Sequence, residues 1–467
     1  MALVVVGLVT AVVSTQTPED GPSFPNIEDH FKYGSVGTEE GVGLPYWIWR
    51  VLPSVFADLL PDRPGTGLER IGFLSPDLDD SASYGRPIGT SYRVVDRLAR
   101  VGLNCATCHV GTYRESPSAP RTVVLGMPAH QMDLQAYSRF LDAVVDDPRY
   151  TAGTLIEAIR AINPDFGFFD RFFYRFFVVS AVKKGILDRR PATRYFDATP
   201  DQGPGRVDTF NSYKTLLGAP LDDAIGTADL PQLWNQRIRQ GLPLHWDGNN
   251  DSVDERNKSA AIGAGATPES IDLESLDRIA DWLLDFEPPP FPSERIDTAL
   301  LDDGRAVYAT ACARCHDLDG AEIGEVVPAS EIGTDPGRVD SFTSELAQGM
   351  LTIGTGYPWQ FARFRKTNGY VNGPLDGVWL RAPYLHNGSV PTLRALLSPE
   401  TRPGRFFRAY DVYDWDDIGF VATGPEAERE GVLFDTALAG NSNAGHRYGE
   451  DLAEDEKNAL LEYLKTL

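Results

Sequence analysis

Apolar residues recur at helical spacing in two stretches of the chain. Over residues 273–286, Leu273, Leu276, Ile279, Leu283 and Phe286 fall along one helix face. This helix runs into "EPPPFPSE", whose four prolines stop it and stiffen the connection. The pattern therefore divides the chain into an N-terminal part, residues 21–287, and a C-terminal part, residues 288–467. At the chain's end, "LAEDEKNALLEYLKTL" aligns Leu460, Tyr463, Leu464 and Leu467 on one side. Acids gather at its start and Lys465 near its end, which suits the helix dipole. A third apolar stretch, "DFGFFDRFFYRFFVVSAVKKGIL" from Asp165, puts eight aromatics into twelve residues. It reads as a helix buried in the N-terminal part. The competing reading makes it the wall of an apolar substrate site or a membrane-surface patch. Residues 2–14 are almost wholly apolar, and the first charge is Glu19. That run is shorter than the about 20 residues a membrane span needs. It matches the apolar region of an export signal without the basic start. Residues 1–20 are read as a signal-like segment, placing the protein in the periplasm or outside the cell, with membrane tethering by this segment as the variant.

Composition narrows the partners. The chain has 467 residues, 42% of them hydrophobic, and 43 basic against 67 acidic residues give a net charge of −24. Its length suggests two domains. The acidic surface repels phosphate backbones and excludes nucleic acid as a natural partner, while favouring a basic redox protein.

All four cysteines lie in two identical patterns. "GLNCATCHVGTY" holds Cys105, Cys108 and His109, and "TACARCHDLDG" holds Cys312, Cys315 and His316. A redox disulfide would not require an adjacent histidine twice. A zinc site would bring its two halves within about 15–20 residues. Covalent c-type haem explains the whole pattern: two thiols add to the vinyl groups as thioethers, and the next histidine supplies the proximal nitrogen. The expectation is two haem c groups, attached through Cys105 and Cys108 and through Cys312 and Cys315, with His109 and His316 on the irons. The segment "DTALLDDGRAVYATACARCH" predicts a short helix that delivers the second motif. Such a helix packed against a terminal helix is the arrangement of cytochrome c domains.

Further motifs carry a resemblance. "LHWDGNNDSVDERN", from Leu244, resembles the WDG segment of bacterial dihaem cytochrome c peroxidases, and "RAPYLHNGSVPTLRALL", from Arg381, resembles their PYxHxG motif. "LFDTALAGNSNAGHRYGEDL" and "LPYWIWRVLP" look most like the rubber-oxygenase branch of that superfamily. The resemblance implies a mainly α-helical protein with two cytochrome-c-like haem domains and long irregular loops. One haem would react with H2O2 or O2, and a six-coordinate haem would store or relay electrons. Trp246 would lie between them, and His245 would belong to the reactive pocket, against the plainer reading of each as a core residue. An apolar organic molecule is a further candidate substrate.

The chain departs from this pattern at several positions. The sixth-ligand methionine expected about fourteen residues after His386 is replaced by Glu400. His446, in the loop "AGNSNAGHRYG", is the substitute ligand expected here. His386 is its rival, with a hydrogen-bonding role preferred for it. No distal histidine follows the first motif before His130, which is read as structural, so the first iron is expected to be open. Arg381 stands where relatives carry the threonine of a calcium site, which disfavours calcium. The leading reading is an oxidoreductase, peroxidase-like or oxygenase-like. The alternative is a non-catalytic dihaem electron carrier.

Overall fold

The computed structural model describes residues 24–76 and 81–467. The signal-like segment, residues 1–20, lies outside them. The described residues pack as two compact units interleaved along the sequence: those up to Thr107, Leu134–Phe196 and Lys258–Ile279 form one, and Cys108–Asp133, Asp197–Asn257 and Ala280–Leu467 form the other.

The first unit is built on a small antiparallel sheet. Thr90–Val95 and Leu98–Leu103 form a hairpin, and Leu44–Pro45 adds to its far edge. The hairpin turns on Asp96 and Arg97, both at positive φ (51° and 65°), as a tight two-residue turn demands. Helices Tyr46–Val55, Leu134–Asp146 and Ala152–Ile162 pack beside it, and the indole of Trp49 donates to the Tyr137 hydroxyl at 3.2 Å. The aromatic-rich segment is one continuous helical rod: Phe168–Phe173, a π-helical turn over Tyr174–Val178, then Val179–Thr193. Burial was expected of it. Tyr174, Val178, Val179, Val182 and Ile186 are buried, but Phe168, Phe169, Phe172, Phe176 and Phe177 are exposed.

In the second unit, helix Leu301–Ala311 crosses the C-terminal helix Glu454–Leu464. A Cβ on Gly304 would lie 2.0 Å from the Ala459 carbonyl oxygen, so the crossing needs a glycine. Leu460, Leu461 and Leu464 enter a core with Trp234, Trp379, Leu380 and Tyr384, while Tyr463 and Leu467 are half-buried at its margin. The predicted helix is present as Leu273–Leu284, with Leu276, Ile279 and Leu283 buried.

The expected mainly α class needs correction. The structure is 43% helical and 12% strand, a mixed architecture. The strands are short antiparallel pairs, such as Val110–Tyr113 with Thr122–Leu125 and Val326–Pro328 with Gly369–Val371. They form where runs such as Val123-Val124 and Val326-Val327 favour extended backbone, in a chain whose 44 glycines and 34 prolines keep interrupting helices.

Candidate functional site

Each cysteine motif sits on a single helical turn. Helix Leu301–Ala311 ends at Cys312, and Ala313–His316 follows as a separate turn, with the His316 amide bonded to the Cys312 carbonyl at 3.1 Å. At the first motif the turn is Ala106–His109. Its start is capped by Asn104: the side-chain oxygen accepts from the Ala106 amide at 3.0 Å, and the side-chain nitrogen donates to the Gly34 carbonyl at 2.9 Å. Among the described residues, none of the four cysteines forms a disulfide. Burial pushes the Cys312 thiol up to about 11.

The two motif histidines are held alike. Nδ1 of His109 lies 2.7 Å from the Pro231 carbonyl oxygen, and Nδ1 of His316 lies 2.8 Å from that of Gly373. A carbonyl can only accept, so Nδ1 carries the proton in both rings and Nε2 keeps its lone pair for a metal. Desolvation lowers the pKa of both, that of His109 to about 4, which keeps the imidazoles neutral as ligation requires.

His446 faces His316. Their ring centroids are 6.3 Å apart with 39° between planes. A metal–imidazole bond is about 2 Å, and the nitrogen lies roughly 1 Å from its ring centroid. Two axial imidazoles on one iron are therefore roughly 6 Å apart, which the observed spacing satisfies. The His446 loop is fixed through its backbone. The His446 amide donates to the Ile332 carbonyl at 3.0 Å, and Arg402 donates to the carbonyls of Asn443 (2.6 Å), Gly445 (2.7 Å) and His446 (3.2 Å). Burial, and then the neighbouring His316, lower His446 to about 4. Its Nδ1 is buried without a hydrogen-bond partner.

The remaining histidines of this unit are engaged elsewhere. His130 bonds through Nε2 to the Thr112 carbonyl at 2.8 Å and stacks on Phe420 at 4.1 Å, a structural position. His386 bonds through Nε2 to the Tyr370 hydroxyl at 3.0 Å and stacks on that ring at 4.2 Å. His245 bonds through Nδ1 to Asn249 at 2.6 Å. Burial lowers the pKa of His245 to about 4. Among the described residues no imidazole ring is paired with His109 as His446 is with His316.

Trp246 occupies a junction. Its indole N–H donates to the Asp229 carbonyl at 2.9 Å, two residues before the Pro231 carbonyl that holds His109. Its own carbonyl accepts from the Val371 amide at 3.0 Å, two residues before the Gly373 carbonyl that holds His316. The indole packs on the cluster of Ala329, Val339 and Tyr370, against which Ile332, the residue that anchors His446, also packs. The PYLHNG loop mirrors this arrangement, since the His386 carbonyl accepts from the Asp229 amide at 2.8 Å. Both loops close with a bridge, Leu244 to Asn250 and Tyr384 to Val390. Both carry positive φ at the second residue, His245 (63°) or Leu385 (65°), and at the glycine, Gly248 (67°) or Gly388 (62°).

Buried arginines complete the site. Arg206 and Arg408 are 1% and 3% exposed, and each has an Nε without a partner. The carboxylate of Asp229 lies 2.8 Å from Arg408, and its pKa is pushed up to about 6 by burial. Two cations against one acid leave positive charge that an anion would offset, and haem propionates have that chemistry. Arg381 donates to the Pro374 and Asp376 carbonyls, occupying oxygens a cation would otherwise use. The residues therefore fit covalent haem: paired thiols on a turn, a neutral imidazole with Nε2 available, and two buried guanidiniums that share a single carboxylate. The spacing of the motifs makes the thiols and proximal histidines readable in sequence. Pro231, Gly373, Arg402 and the buried arginine pair are not, because backbone carbonyls carry no sequence signature and the arginines act on residues distant along the chain.

Comparison with known proteins supports this chemistry. Residues 369–407 match a family model described as RoxA-like, cytochrome c-like. The matched stretch contains Gly373, His386 and Arg402, the groups that position both imidazoles of the second motif or lie beside them. A cytochrome c-like domain implies covalent haem c, and this match suggests a haem oxidoreductase. It supports the rubber-oxygenase-like cytochromes, without extending to the dihaem peroxidase superfamily. Two Sinorhizobium fredii proteins, described as uncharacterized, are similar to this chain. One, y4iJ, is 28% identical across 86% of this chain and 84% of its own length. The other, y4iM, is 31% identical across 51% of this chain and 64% of its own length.

Proposed function

We propose that the chain is an exported dihaem c-type cytochrome and an oxidoreductase of peroxidase-like or oxygenase-like type, related to the dihaem peroxidase superfamily. One haem is attached through Cys105 and Cys108 with His109 on its iron. The other is attached through Cys312 and Cys315 with His316 and His446 on its iron. Bound haem supplies the redox chemistry toward H2O2 or O2. The observation that carries this reading is the asymmetry between the motifs. His316 faces a second imidazole at 6.3 Å, whereas His130, His245 and His386 each have a different partner. Among the described residues no second imidazole is paired with His109, so a haem held at the first motif would be open to a small molecule.

The chain's own residues do the rest. The Pro231 and Gly373 carbonyls hold the proximal tautomers. Arg402 fixes the loop that brings His446 over its partner. Trp246 connects the backbone around both proximal histidines, which supports a role in electron exchange between the centres. His245, kept neutral with its pKa at about 4 by burial, is the polar side chain assigned to the first pocket. The acidic surface suits a basic redox protein, and an apolar organic molecule is the other candidate substrate. Export to the periplasm or beyond completes the reading.

Electron paramagnetic resonance of the purified holoprotein tests it. One low-spin iron, together with one high-spin or O2-bound iron, is the expected result. Two low-spin irons, inert to H2O2 and O2, would replace this reading with a non-catalytic electron carrier.

A further inference from the structure

The exposed phenylalanines lie outside the chemistry above. Phe168, Phe169, Phe172, Phe176 and Phe177 are between 45% and 66% exposed, although they fall within ten residues. They form a ridge. Phe172 and Phe176 have centroids 4.7 Å apart, and Phe168 and Phe169 have centroids 5.6 Å apart. The π-helical turn explains how it stays on one side. A four-residue step over-rotates an α-helix and under-rotates a π-helix, so the wide turn at Tyr174–Val178 cancels the drift. Five half-exposed rings present on the order of 500 Å² of apolar surface, toward the upper end of the largest patch found on ordinary monomers.

The charge of the same rod is opposite to that of the chain. Residues 168–194 hold seven basic residues against two acids, in a protein of net charge −24. Arg175, Lys184, Arg189 and Arg194 are exposed. Beside the ridge runs a groove of about 240 Å³, lined by Leu44, Leu98, Val182 and Ile186 together with Arg100 and Arg189. The two guanidiniums are close enough to repel, and Nε of Arg100 is buried without a partner. Apolar walls with two cations suit a group that combines hydrocarbon with a phosphate. Among the described residues no helix is long and apolar enough to cross a membrane.

We propose that the rod Phe168–Thr193 docks the protein on an anionic phospholipid bilayer, with the phenylalanine ridge entering the interface and the Arg100–Arg189 groove taking a lipid phosphate. A basic helix with a bulky apolar ridge lies in the plane of a membrane, held by buried apolar area and by attraction to anionic headgroups.

Sedimentation of the full-length holoprotein with vesicles tests this. Phosphatidylcholine vesicles containing phosphatidylglycerol should bind it, pure phosphatidylcholine should bind it much more weakly, and added salt should release it. Replacing both Phe172 and Phe176 with Ser should weaken binding about 100-fold. Replacing Arg100 and Arg189 with Gln should weaken it roughly 30-fold. Haem content and circular dichroism, unchanged in both variants, would exclude misfolding as the cause. Three outcomes would overturn the proposal. Binding unaffected by these changes would belong to the apolar stretch at residues 2–14. Equal binding to neutral vesicles or hydrocarbon droplets would mark an apolar-surface site without charge selection. Self-association lost on Phe172→Ser would mark the ridge as a contact between two copies.

Discussion

His446 can face His316 because its backbone is held from two directions. The Ile332 carbonyl takes its amide, and Arg402 gathers the loop carbonyls of Asn443, Gly445 and His446. His446→Ala should convert the second iron from low to high spin and leave the first spectrum nearly unchanged. Added imidazole should restore the low-spin signal, since the cavity that the ring vacates remains. Arg402→Gln should give a mixed-spin second centre with both haems still attached, because the ligand survives but its loop is loosened. His386→Ala producing the low-spin loss instead would exchange the roles of these histidines. His130 supplies a stability test. Burial lowers its pKa from 6.5 to about 4, so the folded state favours the neutral ring. Its contribution is fully present above pH 6.5 and is lost as pH falls toward 4, amounting to about 3 kcal/mol. Denaturant titrations across that window should show the loss, and His130→Gln should remove about that much of the slope. The scarcity of histidine and the absence of a ligand methionine singled out His446 in the sequence, and the structure sets its ring opposite His316. Arg402 was not readable, because it acts on backbone more than forty residues away.

The two long periodic helices were legible as elements because each buries one continuous face at a period of 3.6. The short hairpins were not, since strands of two to six residues carry too little pattern to separate from loop. The aromatic rod was legible as a helix but misjudged in burial. Its phenylalanines come as adjacent pairs every four residues, Phe168-Phe169, Phe172-Phe173 and Phe176-Phe177. Such pairs cover more of the circumference than one buried face accommodates, and Tyr174, Val178 and Val182 already fill that face. The crossing of helix Leu301–Ala311 with the C-terminal helix gives a prediction at this scale. Gly304→Val would drive its side chain into the Ala459 carbonyl, where even a Cβ has only 2.0 Å. The variant should lose about 3 kcal/mol or more, since backbone must move on both helices. Thermal unfolding checks this, and the second haem's Soret band should broaden in the same variant because this helix delivers Cys312.

At the scale of the whole molecule, the two cysteine motifs belong to one exchange of loops. The WDG loop hands its carbonyl to Val371, near the carbonyl that holds His316. The PYLHNG loop hands its carbonyl to Asp229, near the carbonyl that holds His109. Each motif's histidine is thus positioned by a segment that the opposite loop braces, and Trp246 adds an indole at that junction beside the Tyr370 ring. Electron exchange falls steeply with the gap it must cross, so a rigid indole held by its N–H bond to Asp229 offers a shorter route than packed aliphatic side chains. Trp246→Phe keeps an aromatic body but loses that bond and part of the ring. Both haems should remain attached with near-normal spectra, because none of the groups holding His109, His316 or His446 is removed. Oxidising one centre with H2O2 and following both Soret bands by stopped flow should show slower equilibration, and turnover should slow with it. Unchanged exchange in a correctly folded Trp246→Phe variant would reduce the indole to a packing residue and leave the braced segments, residues 229–231 and 371–373, as the path to test next.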